Sequence, residues 1–141
     1  MPDPYISEVK YLGGPTVDFV EVAVDAGTDV SNVVVTIYSA NGTVKSTNSL
    51  SGLSSTTIAG KDVYVIESGF PSSFNGLHKH GAVALSESGT VYQFISFDDN
   101  AGTVSATAGA ANGLTSTDVG QAGSGNSLET TDGGATYSTQ T

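Results

Sequence analysis

Residues 33–45 read Val-Val-Val-Thr-Ile-Tyr-Ser-Ala-Asn-Gly-Thr-Val-Lys and give the strongest indication of β structure in the chain. Val33–Tyr38 is a run of β-branched and apolar residues that has the length of a strand and is too short for a helix. Asn41 and Gly42 separate it from Thr43–Lys45, and both residue types adopt the positive φ that a type I′ hairpin turn requires. The stretch therefore predicts two antiparallel strands joined by a tight turn.

Short apolar runs of the same kind recur along the chain, separated by turn-forming residues. Tyr5–Val9, Val17–Val24 and Asp62–Ile66 are predicted strands, and the last of them is predicted to be buried on both faces. Ala82–Leu85 and Val91–Phe97 flank a Ser-Glu-Ser-Gly sequence and predict a second hairpin. Polar residues inside its second strand indicate a bulge or a half-exposed strand. The spacing of all these runs predicts an all-β sandwich with Greek-key connections.

The composition agrees with an all-β chain. The 141 residues suit one domain and include 18 Gly, 19 Ser and 17 Thr, and only 13% of residues are charged. This composition disfavours helices, because Gly, Ser and Thr are poor helix formers. From residue 98 onward small residues dominate, so this segment can fold only by lying on an existing core. Its sizeable apolar residues are Val104, Leu114, Val119, Leu128 and Tyr137.

A core and a domain boundary follow from these strands. Residues 1–137 are predicted to form the sandwich, and residues 138–141, which carry no apolar anchor, are predicted to begin a linker to a following domain. Alternate side chains of a strand lie on the same face, so the inward positions should share one core. The predicted core residues are Ile6, Phe19, Val35, Ile37, Val65, Val83, Leu85, Phe94 and Leu114.

The charge of the chain excludes one class of partner. Four Lys, no Arg and 14 acidic residues give a net charge of −10. Such a chain repels phosphate groups, so nucleic acid and anionic membrane surfaces are poor candidate partners. No apolar run approaches the roughly 18 residues of a membrane-spanning helix, so no membrane insertion is expected. The absence of Cys excludes disulfides, thiolate metal sites and a cysteine nucleophile.

Glu8 and Glu21 each lie among apolar residues of a predicted strand. Two carboxylates brought together in this way could act as a general acid and a general base. Alternatively, each carboxylate accepts hydrogen bonds from the many Ser and Thr hydroxyls of the chain. The second interpretation is favoured, and the sequence predicts no catalytic residue.

Two polar clusters are candidate metal sites. His78 and His80 place two imidazoles on one side of an extended segment, but zinc needs three or four ligands and the chain has no third His. The simpler interpretation is an exposed loop. Asp98, Asp99 and Asn100 form the densest group of oxygen ligands and could hold Ca²⁺, but they lack the spacing of an EF-hand loop. A polar turn is their simpler interpretation.

A set of short motifs follows a defined order between residues 5 and 137. They are Ile6–Val9, Asp18–Val22, Gly81–Leu85, Gly89–Val91, Gln93–Phe97, Gly113–Gly120 and Ser127–Glu129. In order and spacing they resemble the strands of bacterial lamin-tail-type domains, of the kind found N-terminal to Hint autoprocessing domains. The Trp that often ends the later strands of that family is absent, and Tyr64 or Tyr137 would fill its space. The resemblance implies an immunoglobulin-like β-sandwich, an extracellular or cell-surface location and a Hint-type domain after this one.

The sequence thus predicts a non-catalytic module of a larger exported bacterial protein. Its role would be structural, adhesive or partner-binding, and its partner would be a protein or an extracellular polymer. One alternative is a calcium-stabilised surface domain. The other is a small metal-dependent hydrolase that would use His78, His80, Asp98 and Asp99.

The loops of a sandwich are the usual place for recognition residues. The connection from Gly69 to His80 carries apolar side chains among small and polar residues, and it is the leading candidate for a contact surface. The same side chains would close one end of the sandwich if they folded inward. They are Phe70, Phe74 and Leu77.

Overall fold

The computed structural model describes residues 3–12, 17–78, 80–97, 102–122 and 125–140, which form two packed β-sheets. These ranges contain strands, turns and irregular loops and no helix, so the predicted all-β sandwich is confirmed. No helix in these ranges could span a membrane. Asp98, Asp99 and Asn100, the predicted calcium ligands, lie outside the described residues.

The strands of the described ranges are numbered in chain order. They are β1 (Tyr5–Lys10), β2 (Phe19–Asp25), β3 (Val33–Tyr38), β4 (Val44–Ser49), β5 (Thr56–Ile58), β6 (Lys61–Ile66), β7 (Ala82–Glu87), β8 (Thr90–Ser96), β9 (Thr117–Asp118), β10 (Ser127–Glu129) and β11 (Ser138–Gln140). The first sheet has the order β11-β10-β1-β2-β6-β5, and the second has the order β4-β3-β7-β8-β9. Neighbouring strands are antiparallel except β8 and β9, which are parallel.

Both predicted hairpins are present, but the first has a different turn. Only Gly42 has a positive φ (86°), whereas a type I′ turn needs two such residues. Gly42 N donates to Ser39 O, and Ser39 N donates to Thr43 O, which is the pattern of a three-residue loop with a glycine bulge. Asn41 instead uses its side-chain oxygen to accept from the Thr43 hydroxyl at 2.7 Å. In the β7–β8 turn Ser88 and Gly89 both have positive φ, as a type I′ turn requires.

The main core lies between the sheets and follows the alternation of the strands. Val20 and Val22 of β2 face Val35 and Ile37 of β3, and all four are fully buried. Successive side chains of a strand point to opposite faces, so the residues between these core positions point away from the core. Two predicted core residues are therefore wrong, because Phe19 and Val65 lie half-buried on the outer face of the first sheet. For the same reason β6 is buried on one face only, not on two.

A second, smaller core lies on the outer face of the second sheet. Residues 102–116, called here the covering segment, pass over β3, β7 and β8 and bury apolar side chains beneath them. For residues 102–116, the expectation that this part of the chain folds by lying on an existing core is confirmed. Phe94 belongs to this second core, whereas Leu114 points outward with 45% exposure, so its assignment to the core is wrong. The buried members are Tyr38, Ala82, Ala84, Phe94, Val104, Ala106 and Ala111.

Tyr38 of β3 packs against the covering segment and forms hydrogen bonds with it. Its side chain is fully buried, and its ring lies 5.2 Å from the Phe94 ring, centroid to centroid. Its hydroxyl donates to Ala108 O at 2.8 Å and accepts from Ala111 N at 3.0 Å. One aromatic residue thus supplies both apolar contact and backbone hydrogen bonds to a segment that has no strand pairing of its own at these positions.

The chain does not leave the sandwich at Tyr137. Ser138–Gln140 form β11 and pair with Ser127–Glu129. The prediction that residues 138–140 belong to a linker is therefore wrong. The loop between β10 and β11 is closed by Asp132, whose carboxylate accepts from Thr136 N, at 2.9 Å, and from the Thr130 and Thr136 hydroxyls. These hydrogen bonds favour the ionised carboxylate and lower the pKa of Asp132 to about 2. A following domain stays a prediction.

Candidate binding surface

The predicted contact residues divide into one exposed side chain and two buried ones. Phe70 is 64% exposed, whereas Phe74 is 5% and Leu77 is 9% exposed and both belong to the main core. The assignment of Phe74 and Leu77 to a contact surface is therefore wrong, and the alternative that they fold inward holds for these two. Leu77 is fixed there by its backbone N–H, which donates to the buried carboxylate of Asp18 at 3.1 Å.

Phe70 lies at the end of a tight turn after β6, and this turn leaves its side chain exposed. Glu67 N donates to Phe70 O at 3.0 Å, and Phe70 N donates to Glu67 O at 2.8 Å. Between them Gly69 has a φ of 86°, a conformation that a residue with a Cβ adopts only with strain. The turn returns the chain beside the end of β6 and leaves the Phe70 ring in solvent. The two hydrogen bonds fix the backbone from which the exposed Phe70 ring projects.

Phe70 borders a groove of about 460 Å³. The floor includes Val63 and Val65, which point outward from β6, and one wall is the loop that leads into β5. Most of the lining is apolar or small, with a single charged residue. The lining residues, called here the Phe70 groove, are Gly52, Leu53, Ser54, Thr56, Val63, Val65, Glu67 and Phe70.

The Phe70 groove lies where β6 runs past its neighbour. β5 pairs with Lys61, Asp62 and Val63, and its ladder ends there. On the other side β6 pairs with β2 along its whole length, up to Ile66. In the part of the chain that the structure describes, Tyr64–Ile66 therefore have a strand on one side only. Such an edge can accept a further strand.

Three glutamates form a row across the outer face of the same sheet. Glu21 of β2 is opposite Glu8 of β1, and Glu8 is opposite Glu129 of β10. On the other side of Glu21, the residue opposite it is Val65 of the Phe70 groove. The glutamate row (Glu21, Glu8, Glu129) is thus continuous with the groove. The chain has few cations to balance it, because it contains four Lys and no Arg.

A bulge in β1 creates the first pair of this row. Ile6 is opposite Val22, but Glu8 is opposite Glu21, so Ser7 is an extra residue in β1. Ser7 Oγ donates to Glu21 Oε1 at 2.7 Å, and Ser127 Oγ donates to Glu8 Oε2. The favoured interpretation of these carboxylates, acceptance of Ser hydroxyl hydrogen bonds, is confirmed.

Crowding of these carboxylates affects their protonation. Burial raises the pKa of Glu21 above its usual value, and the negative charges of Glu8 and Glu129 raise it further, whereas the hydrogen bond from Ser7 lowers it. The net shift is upward. The folded protein therefore holds the Glu21 proton more tightly than the unfolded chain does.

Replacing Glu21 by glutamine (Glu21→Gln) is expected to raise the melting temperature at about pH 7 and to change it little at about pH 4. Because the folded pKa is the higher one, the free energy of unfolding falls as the pH rises from the unfolded pKa through the folded pKa. Glutamine has no charge and keeps an oxygen for the Ser7 hydroxyl. Thermal unfolding over this pH range measures the effect.

Asp29→Asn serves as the control of opposite sign. Hydrogen bonds from Ser31 lower the pKa of Asp29, so its ionised form stabilises the fold above the unfolded pKa. This variant should lower the melting temperature at neutral pH. A melting temperature for Glu21→Gln that also falls at neutral pH would contradict the interpretation of the glutamate row.

The candidate zinc residues lie close together on the connection into β7. The rings of His78 and His80 are 5.9 Å apart, and His78 Nδ1 accepts from His80 N at 3.2 Å, so one ring nitrogen of His78 is engaged in a local turn. Within the described ranges no third His, Asp or Glu joins them in a group that could hold a metal ion. Asp98 and Asp99, the other residues of the hydrolase hypothesis, lie outside those ranges, so that hypothesis stays a prediction.

The sequence raised Glu8 and Glu21 as a pair of carboxylates, and the structure places them opposite each other, but the sequence did not predict Glu129 beside them or the groove. A signal for the row exists, because Glu8, Glu21 and Glu129 each adjoin a residue that faces the main core: Val9, Val20 and Leu128. Adjacent residues of a strand face opposite sides, so each glutamate had to point outward. Comparison of the chain with protein-family models, with curated proteins and with solved structures gives no match.

Proposed function

We propose that this chain is a non-catalytic recognition module that binds a protein partner through the Phe70 groove. The observation that carries the proposal is the exposed Phe70 ring, held by a closed turn beside an apolar groove. Exposing a large ring to water is unfavourable, and a partner that covers it gains the free energy of burying that surface. Interfaces concentrate their binding energy in such aromatic residues, set in a pocket near the centre of the contact.

The finer description of the fold belongs to the same proposal. We infer an immunoglobulin-like sandwich with Greek-key connections, in an exported bacterial protein. The chain crosses between sheets after β2, β4, β6 and β9, which supports connections of this type. The late strand suggested by the lamin-tail resemblance coincides with β10. Sandwiches of this class use loops and exposed edges for binding, and the Phe70 groove has both.

Selection from a displayed library of random peptides tests the proposal. The immobilised protein is expected to enrich peptides whose binding depends on Phe70. Phe70→Ser should weaken the enriched peptides by about tenfold or more, as expected when an aromatic residue at the centre of an interface is truncated. Affinities are measured by calorimetry with the synthetic peptides.

Leu114→Ser is the matched control. Leu114 is the exposed apolar residue of the covering segment, on the second sheet, and its loss removes a similar hydrophobic side chain without touching the groove. The affinity of the enriched peptides for this variant should equal that of the parent protein. Peptides that bind equally well to Phe70→Ser would contradict the proposed function.

A further inference from the structure

The free edge of β6 indicates how a partner would be held. Tyr64–Ile66 have β2 on one side and no strand on the other within the described residues, because β5 ends its pairing at Val63. An extended segment can pair its backbone with such an edge and add a strand to the sheet. The side chains of that strand would alternate between the Phe70 groove and the opposite face, in step with Val63 and Val65.

The charges around this edge select the chemistry of the segment. Glu67 lines the groove, and Glu21 is the residue opposite Val65 on the next strand. A residue added beside Val65 would lie two strand spacings from Glu21, about 10 Å, which a long basic side chain can bridge along the apolar surface of Val65. Glu8 and Glu129 extend the negative potential beyond Glu21.

The cations of this face do not cancel that potential. Lys61, on β6 itself, is 2.5 Å from Asp25 Oδ1 and is thus already paired. Lys10 of β1 lies opposite Phe19, two residues along the strand from Glu8, and can offset at most one of the three glutamates. Opposite charges across an interface steer association and reject partners of the wrong sign. An acidic segment would be repelled at this edge.

We propose that the Phe70 groove binds an extended peptide segment that adds as a strand beside Tyr64–Ile66 and whose groove-facing residues, every second one along the segment, alternate between apolar residues and Lys or Arg. This inference rests on the proposed function and specifies its partner. The groove-facing basic residue beside Val65 lies near Glu21 and Glu67, and the groove-facing apolar residues two positions away contact Val63 or Phe70. The partner is thus a protein with an exposed basic strand or a disordered basic tail.

Synthetic peptides test the proposal directly. The probe is acetyl-Thr-Val-Thr-Lys-Thr-Val-Thr-Lys-amide, in which Val and Lys alternate along one face, compared with a version in which Glu replaces Lys and with a version of identical composition in scrambled order. The alternating basic peptide is expected to bind at least about tenfold more tightly than either, and its affinity should fall as salt is added. Equal affinities of the basic and acidic peptides would overturn the proposal.

Backbone methylation tests strand addition. A strand that joins one edge uses only alternate N–H groups, so two further peptides carry N-methyl groups at the odd or at the even positions. One of them should lose about tenfold or more in affinity, and the other should keep most of it. Unchanged affinity of both would show that the peptide does not bind as a strand and would overturn that part.

Charge reversal locates the site. Glu67→Lys and Asp118→Lys change the net charge equally, but Asp118 is an exposed residue of β9, in the other sheet. Glu67→Lys should weaken the basic peptide by about tenfold and improve the acidic one, whereas Asp118→Lys should have little effect. Equal effects of the two variants would mean unspecific attraction and would overturn the proposal.

The experiments distinguish failure of this inference from failure of the proposed function. Library peptides that need Phe70 but are neither basic nor strand-forming would overturn this inference and leave the proposed function standing. If neither the library peptides nor the alternating peptide depends on Phe70, both fail.

Discussion

Replacing Tyr38 by alanine (Tyr38→Ala) is expected to lower the free energy of unfolding by about 3–5 kcal/mol. The side chain is fully buried in the second core, where its ring packs against Phe94. Its removal leaves a cavity and also takes away both hydrogen bonds that hold Ala108 and Ala111. Urea unfolding measures the loss, and hydrogen exchange should show that protection disappears first in the covering segment.

Tyr38→Phe separates the two contributions of this residue. It keeps the ring and removes only the hydroxyl, so the expected loss is about 1–2 kcal/mol for two hydrogen bonds. If Tyr38→Ala cost less than about 1 kcal/mol, the covering segment would not depend on Tyr38, and the second core would contribute little to stability.

Replacing Gly42 by alanine (Gly42→Ala) is expected to cost about 2–5 kcal/mol, from two separate causes. The φ of Gly42 is 86°, where a residue with a side chain is strained. An added Cβ would also lie 1.9 Å from the carbonyl oxygen of Ser105, far inside van der Waals contact. Because that oxygen belongs to the covering segment, the segment would have to move, and Thr107 N would lose its hydrogen bond to Gly42 O.

Gly89→Ala isolates the first cause. Gly89 has a φ of 89°, nearly that of Gly42, but no atom lies within 4 Å of an added Cβ. Its substitution should cost only the conformational strain, about 1–2 kcal/mol. The difference between the two variants, measured by urea unfolding, is the cost of the contact with Ser105. Equal losses would show that the covering segment does not lie against the β3–β4 turn.

Local sequence was sufficient to predict the central strands of both sheets. Val33–Tyr38 is a strand with the predicted bounds, since its β-branched residues and the following Asn-Gly turn act within a few residues of each other. The β5, β9, β10 and β11 strands have two or three residues each, which is too short for a recognisable alternation. Their pairing depends on distant partners, so pattern analysis could not find all of them.

The candidate surface, too, was only partly predictable from local sequence. Phe70 was a candidate because an aromatic residue stood in a polar connection, but its separation from Phe74 depends on the Glu67–Phe70 turn. The glutamate row depends on register, because without the extra residue Ser7 in β1, Glu8 would not be opposite Glu21. A one-residue shift changes which side chains meet, and no local pattern in β2 reports a bulge in β1.

The covering segment also restricts how this chain can vary in evolution. Ala82 and Ala84 lie beneath it, and their small side chains allow the segment to approach the sheet. A homologue without the segment would expose both positions to water, and polar residues should replace the alanines there. Val83 and Leu85, which face the main core, should stay apolar in either case. The residue types at positions 82 and 84 should therefore covary with the presence of the segment across a set of related sequences.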